Sequence, residues 1–221
     1  MMLVDRLIKE GWLRTPAIIE AFRQIKREDF LPPAEKSLAE LDEALSIGYG
    51  QTISQPLVVA FMLELLQPAF GEKILDIGAG SGWTSALLAH IVSDEREERR
   101  DQKKKSIQQG RVIALEIVPQ LCQFGRNNVA KYNFIKKGIV QFISADGSKG
   151  WEREAPYDKI LCSACAEKLP EEWGRQLKEG GRIVLPIGSS LWLFIKRERG
   201  FETKEFPGFV FVPLVRGESA F

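Results

Sequence analysis

The stretch Leu75-Asp76-Ile77-Gly78-Ala79-Gly80-Ser81-Gly82 sets three alternate glycines directly after an apolar run. Glycine makes tight turns and lets backbone approach a ligand that a β-carbon would hold off. The spacing differs from the G-x-G-x-x-G of dinucleotide-binding loops, and no lysine follows as a P-loop requires. Asp76 places a carboxylate where it would repel a pyrophosphate and attract a cation. Glu116 closes the next apolar run, Val112-Ile113-Ala114-Leu115-Glu116, and a carboxylate there can accept hydrogen bonds from both hydroxyls of a ribose. Ala145-Asp146-Gly147 follows a third apolar run and reads either as an ordinary turn or as a polar edge for an adenine. A nucleoside ligand with positive charge and no phosphate suits all three places. The expected cofactor is therefore S-adenosylmethionine, which carries a sulfonium and an ammonium, with Asp76, Gly78, Ala79, Gly80, Gly82, Glu116, Asp146 and Gly147 around it.

Such residues converge when each stands at the carboxyl end of a parallel strand. The hydropathy pattern supplies strands at 73–77, 112–116, 139–144, 159–163 and 182–187, with helices at 83–91, 118–131 and 171–177. Two further strands, 191–196 and 209–214, follow with no clear helix between them, so the sheet is expected to finish antiparallel over 191–215. Ahead of these, residues 3–30 read as two helices. Val4, Leu7 and Ile8 mark the apolar face of the first, and Ile18, Ile19, Phe22 and Ile25 that of the second. Thr15 is placed to cap the second helix, with Pro16 at its first position, and Leu31-Pro32-Pro33 stops it. Residues 34–55 read as irregular, and a helix follows over 55–66. The expected fold is α/β, a doubly wound, mainly parallel seven-stranded sheet with an N-terminal helical extension.

The 221 residues suit a single domain over 1–221, with residues 1–55 contributing helices and a loop, and 44% hydrophobic residues are enough to fill a core. Lys+Arg 31 against Asp+Glu 30 leaves a formal charge of +1, which gives no electrostatic reason to expect nucleic acid or an anionic membrane as partner. Three cysteines, Cys122, Cys162 and Cys165, are too few for a disulfide framework. The C-x-x-C of the last two lacks a second ligand pair for zinc, so small apolar packing is expected there and no metal. The first residues lack the apolar core of a signal peptide, and no run has the apolar length of a membrane span, so a cytoplasmic protein is expected. The mixed-sign segment 93–109 reads as a solvated insertion. His90 reads as a helix-end residue, and Trp83 either covers an adenosyl group or packs between helix and sheet.

With these residues placed, the chain resembles the protein-L-isoaspartate O-methyltransferase family, which repairs damaged aspartyl residues. The resemblance is carried by residues 47–56 (Ile-Gly-Tyr-Gly-Gln-Thr-Ile-Ser-Gln-Pro), the glycine motif, Ala155-Pro156-Tyr157-Asp158 and Phe211-Val212-Pro213-Leu214-Val215. Val4-Asp5-Arg6-Leu7 and Arg27-Glu28-Asp29-Phe30 extend it, so that it covers residues 3–216 apart from the charged insertion. It implies a Rossmann-like methyltransferase fold, S-adenosylhomocysteine as product, isoaspartyl proteins and peptides as partners, and a monomer. By position, Ser54 is similar to the family's active-site serine, with Ile53 beside the cofactor. Thr52, Gln55, Val212, Pro213 and Leu214 would line the acceptor side. Leu57, Ala145 and the run 162–167 depart from the family's usual residues. Two alternatives stand beside this reading: methyl transfer to a small molecule or RNA, and cofactor binding without activity.

The implied chemistry asks little of the protein. An isoaspartyl linkage frees an α-carboxyl whose pKa, about 3.5, leaves it ionised at neutral pH. No proton must be removed before it attacks a methyl group, so a general base adds nothing. Positioning alone can supply about 7–11 kcal/mol. A chain with one histidine agrees with that. Ser54 is expected to orient the carboxylate rather than to attack, since no histidine partners it within its motif. Alternatively or additionally, it caps the helix that follows.

Overall fold

A computed structural model describes residues 2–93 and 109–217; residues 94–108, nearly all of the charged insertion, lie outside the described residues. Helices α1 (Leu3–Lys9) and α2 (Pro16–Gln24) lead through two short 3-10 turns into a hairpin of β1 (Leu45–Gly48) and β2 (Gln51–Ile53). Then follow α3 (Pro56–Leu66), β3 (Lys73–Ile77), α4 (Trp83–Val92), β4 (Arg111–Glu116), α5 (Pro119–Ala130), β5 (Val140–Ser144) and β6 (Tyr157–Cys162). Helix α6 (Glu171–Gln176) and strands β7 (Leu177–Ile187), β8 (Ser190–Arg197) and β9 (Gly200–Pro207) are the last helix and strands of the described residues.

Seven strands form one sheet in the order β5-β4-β3-β6-β7-β8-β9. The first five run parallel, and β8 and β9 turn back antiparallel. The chain fills one side of β3 with β4 and β5, then crosses to β6 on the other side. That reversal opens a crevice at the carboxyl ends of β3, β4 and β6, the usual ligand position in such sheets. Successive side chains alternate between two apolar cores. Ile74 joins the core that contains α2 to α5, whereas Leu75 and Ile77 join the core beneath Tyr157 and Trp173.

Several local expectations change on contact with the structure. The last strand is Gly200–Pro207, not 209–214. Its sequence, Gly-Phe-Glu-Thr-Lys-Glu-Phe-Pro, belongs to an exposed sheet edge, so apolar periodicity does not mark it. The apolar run 209–214 is instead drawn across the crevice, bonded to Cys165: Cys165 N–H donates to Val212 O and Leu214 N–H to Cys165 O, both at 2.8 Å. Thr15 does not cap α2 with its side chain; its hydroxyl donates to Glu64 Oε2 at 2.8 Å. Gly82 adopts φ +88°, and a β-carbon there would lie 2.8 Å from Val129 Cγ2 and 2.9 Å from Gly125 O. The third glycine of the motif is thus required by α5 packing against the loop.

Candidate active site

The glycine loop is fixed by its own neighbours. Gly78 and Ala79 N–H both donate to Leu115 O at 3.0 Å, and Gly82 N–H donates to Ala79 O at 2.8 Å. Gly80 N–H donates to Glu116 Oε2 at 2.8 Å, while Val118 N–H donates to Glu116 Oε1 at 2.9 Å. These four loop amides are therefore already committed and are not offered to a phosphate. Burial pushes the Glu116 carboxyl above its usual range, although the amides of Val118 and Gly80 hold it back. Each carboxylate oxygen keeps a lone pair for a ligand hydroxyl.

Asp76 sits one layer below. It is fully buried, and its Oδ2 accepts from Thr84 Oγ1 at 2.9 Å and Ser85 Oγ at 2.6 Å. Burial raises its pKa to about 6, the two hydroxyls oppose that rise, and the nearby Glu116 charge adds to it. Strand alternation explains the placement: Ile77 lines the crevice, so its predecessor faces α4. Asp76 meets the cavity only through Thr84, which lines it. Asp146 also turns away, its Oδ1 accepting from Ser148 N–H and its Oδ2 from Gly217 N–H, both at 2.8 Å. Ala145 and Gly147 line the cavity in its place. A β-carbon on Gly147 would come within 2.5 Å of Ile77 Cγ2.

The opposite wall comes from the β1–β2 hairpin and the C-terminal run. Thr52, Ile53, Ser54, Val212, Pro213 and Leu214 line the same cavity as Gly78, Ala79, Gly80, Glu116 and Gly147. Gln55 and Gly82 do not line it. Gln55 borders an adjoining surface groove with Leu57, Phe209 and Phe211, and the residues bordering that groove include no charged side chain. Thr52, Ser54, Ser163 and Val212 are the residues that line both cavity and groove. Ser54 does not cap α3. The residue at the cap position, Gln55, makes no side-chain cap bond either, and Leu57 N–H donates to Asp42 Oδ1 at 2.8 Å.

The sequence pattern places Ser163 at the end of the expected strand 159–163 and in a departing run but not in the site, yet it stands one residue past the end of β6, where ligand contacts concentrate. Its Oγ and the Trp83 Nε1 are buried without a hydrogen-bond partner, and both residues line the cavity. Trp83 lines the cavity and packs edge-on against Phe22 of α2, a helix rather than the sheet, at 5.5 Å between ring centres. Cys162 is fully buried, its thiol pushed up to about 12 by burial. Among the described residues, no group of three His, Cys, Asp or Glu side chains could hold a metal.

The family model for protein-L-isoaspartate(D-aspartate) O-methyltransferase matches residues 1–219. The chain belongs to that family. Named members from Methanopyrus kandleri and Archaeoglobus fulgidus are 40% and 41% identical to it, each match covering 99% of this chain and 92% and 93% of theirs. A solved protein-L-isoaspartate O-methyltransferase chain superposes with a TM-score of 0.81 at 28% identity, covering 97% of this chain and 65% of that longer one. A Plasmodium falciparum structure, described as a candidate member in complex with S-adenosyl-L-homocysteine, shares the fold with a TM-score of 0.79 at 23% identity, covering 97% of each chain. For this member of the family, the sequence departures divide between the walls. Ala145 lines the cofactor cavity, Leu57 borders the groove, and Ser163 touches both.

Proposed function

We propose that this chain transfers the methyl group of S-adenosylmethionine to the free α-carboxylate of L-isoaspartyl residues in proteins and peptides. The observation that carries this is the meeting of the strand-end cavity and an adjoining uncharged groove at Thr52, Ser54, Ser163 and Val212. The cavity fits the cofactor: committed loop amides suit a ligand without phosphate, and the Glu116 carboxylate suits ribose hydroxyls. Ser163 Oγ and Trp83 Nε1 are donors awaiting acceptors. Gly147 and Ala145 would take the adenine edge, and Asp76 would act indirectly by fixing Thr84 and the start of α4.

When bound, S-adenosylmethionine supplies a methyl carbon that accepts an oxygen lone pair as the carbon–sulfur bonding pair returns to sulfur. The protein's share is placement. Thr52, Ser54 and Ser163 line the junction, and their hydroxyls would donate to the acceptor carboxylate and hold one of its oxygens toward the cavity. No side chain moves a proton, because the acceptor arrives ionised. Val212 and its neighbours, held by Cys165, exclude water from the junction. The chain would act as a cytoplasmic monomer, and its near-balanced charge supports an acceptor other than nucleic acid or membrane.

A labelled-methyl assay on an isoaspartyl peptide and its aspartyl twin tests the reading. Label in the isoaspartyl peptide alone, as a base-labile ester, is expected. Transfer to neither peptide, with the cofactor bound, would mark a binding protein without this activity.

A further inference from the structure

The acceptor-side loop rests on a buried arginine that the proposed chemistry does not use. Arg27 is buried and borders a cavity shared with residues 2–5, 22–23, 25–26 and 39–40 and with Trp83 of α4. Its Nη1 donates to Ala39 O at 3.2 Å and Leu41 O at 3.0 Å, and its Nη2 to Glu43 O at 2.6 Å and Ser54 O at 3.2 Å. The guanidinium also lies over the ring of Trp83, 5.5 Å from its centre. We propose that Arg27 is a positioning residue for methyl transfer, setting the Ser54 hydroxyl at the junction by fixing the Ser54 carbonyl and the 39–43 segment together.

The geometry makes Ser54 the point where two ties meet. One is direct, from Arg27 to the Ser54 carbonyl. The other runs through the 39–43 segment, whose Asp42 side chain receives Leu57 N–H at the start of α3. A serine that lacks a cap role and follows a three-residue strand would otherwise be held by little else. Four carbonyls converge on one planar fork, an arrangement that lysine, with donors at a single point, does not reproduce. Burial lowers the Arg27 pKa to about 10, with Asp42 and Glu40 opposing, so the group stays charged at neutral pH. Burying a charge is a poor way to gain stability when an apolar side chain could fill the space. Spatial control of the loop gives this charge a purpose.

Arg27's role rests on the function proposed above, and the test separates the two. In steady-state kinetics with an isoaspartyl peptide, Arg27→Lys should lower kcat by up to about tenfold while S-adenosylhomocysteine affinity by calorimetry stays within about threefold. In a Ser54→Ala background, the same substitution should cost less than about threefold in kcat, because the hydroxyl it places is gone. Equal loss in both backgrounds, or affinity falling in step with kcat, overturns the role. Should Arg27→Lys fail to fold, Asp42→Ala, which removes the acceptor of the Leu57 amide, cuts the second tie from a half-buried position. There, kcat should fall about threefold with cofactor affinity kept and the loss absent after Ser54→Ala, and additive losses would overturn it. Wild-type protein that binds cofactor but leaves the isoaspartyl peptide unmethylated refutes the function itself, before any variant is compared.

Discussion

The two walls of the active-site cavity are built on different principles. The cofactor wall is made by strand ends: the amides of Gly78, Ala79, Gly80 and Gly82 close on Leu115, Glu116 and one another, so the sheet itself holds the loop. The acceptor wall has no such frame. Its hairpin forms a separate two-stranded sheet, and its C-terminal run forms no strand of the main sheet. Arg27 and Asp42 tie the hairpin side through side chains, whereas Cys165 ties the C-terminal run through its backbone. A wall framed by backbone is preorganised before any ligand arrives, while a wall hung on individual ties can be adjusted to a varied acceptor without disturbing the cofactor.

If that division is real, damage to one wall should spare the function of the other. The largest effect is expected from Glu116→Ala, which orphans the Gly80 and Val118 amides and removes the carboxylate offered to a ribose. Two charge-assisted bonds are worth about 1.5–3 kcal/mol each, so S-adenosylhomocysteine affinity should fall about 100- to 10,000-fold in calorimetry. Affinity within about threefold of wild type would remove Glu116 from the cofactor wall.

Asp76 tests the layer beneath. Its folded pKa of about 6 stands above the ordinary 3.8, so between those values the native state binds more protons than the unfolded chain. Its contribution to stability therefore declines as pH rises through that window, by at most about 3 kcal/mol. Asp76→Asn cannot titrate. Its stability relative to wild type should improve as pH rises from about 4 to about 6.5 and stay level above that. A stability difference that does not vary with pH across this range would mean that the carboxyl is not held protonated. A smaller effect is expected across the cavity: Ser54→Ala should lower kcat about tenfold with cofactor affinity within about threefold. Comparable loss in both would dissolve the distinction between the walls.

The same division explains what was legible in the sequence. The glycine motif and Glu116 were readable because strand ends impose local patterns, with apolar runs closing on glycine or a carboxylate. The parallel strands β3 to β7 followed from the same periodicity. The motif offers Asp76 to the ligand, but strand alternation turns it to α4, where the hydroxyls of Thr84 and Ser85 hold it. Strand β9 carries Glu202, Lys204 and Glu205 and stays exposed, so no apolar period announces it. The run 209–214 carries the apolar signal of a strand without becoming one, because its partner is a loop residue, Cys165. Arg27 and Asp42 act on residues 27 and 15 positions away, and no local pattern encodes such ties. Ser54 was placed by its likeness to a family motif, which stores in a short run what the fold assembles at a distance.

The smallest expected effect is the sharpest test of how the acceptor wall hangs together. Cys165 holds the C-terminal run by its backbone, at 2.8 Å to both Val212 and Leu214, while its thiol makes long contacts with Gly188 O at 3.4 Å and Ala166 O at 3.7 Å. Thiol donors are weak, and removing one from a half-buried position should cost under about 1 kcal/mol. Cys165→Ala should thus leave kcat, acceptor KM and cofactor affinity within about twofold of wild type. Cys165→Pro removes the amide that donates to Val212 O, and it should raise acceptor KM while leaving cofactor affinity intact. If alanine proves as harmful as proline, the thiol rather than the backbone holds the wall, and the C-terminal run then depends on a side-chain tie just as the Ser54 loop does.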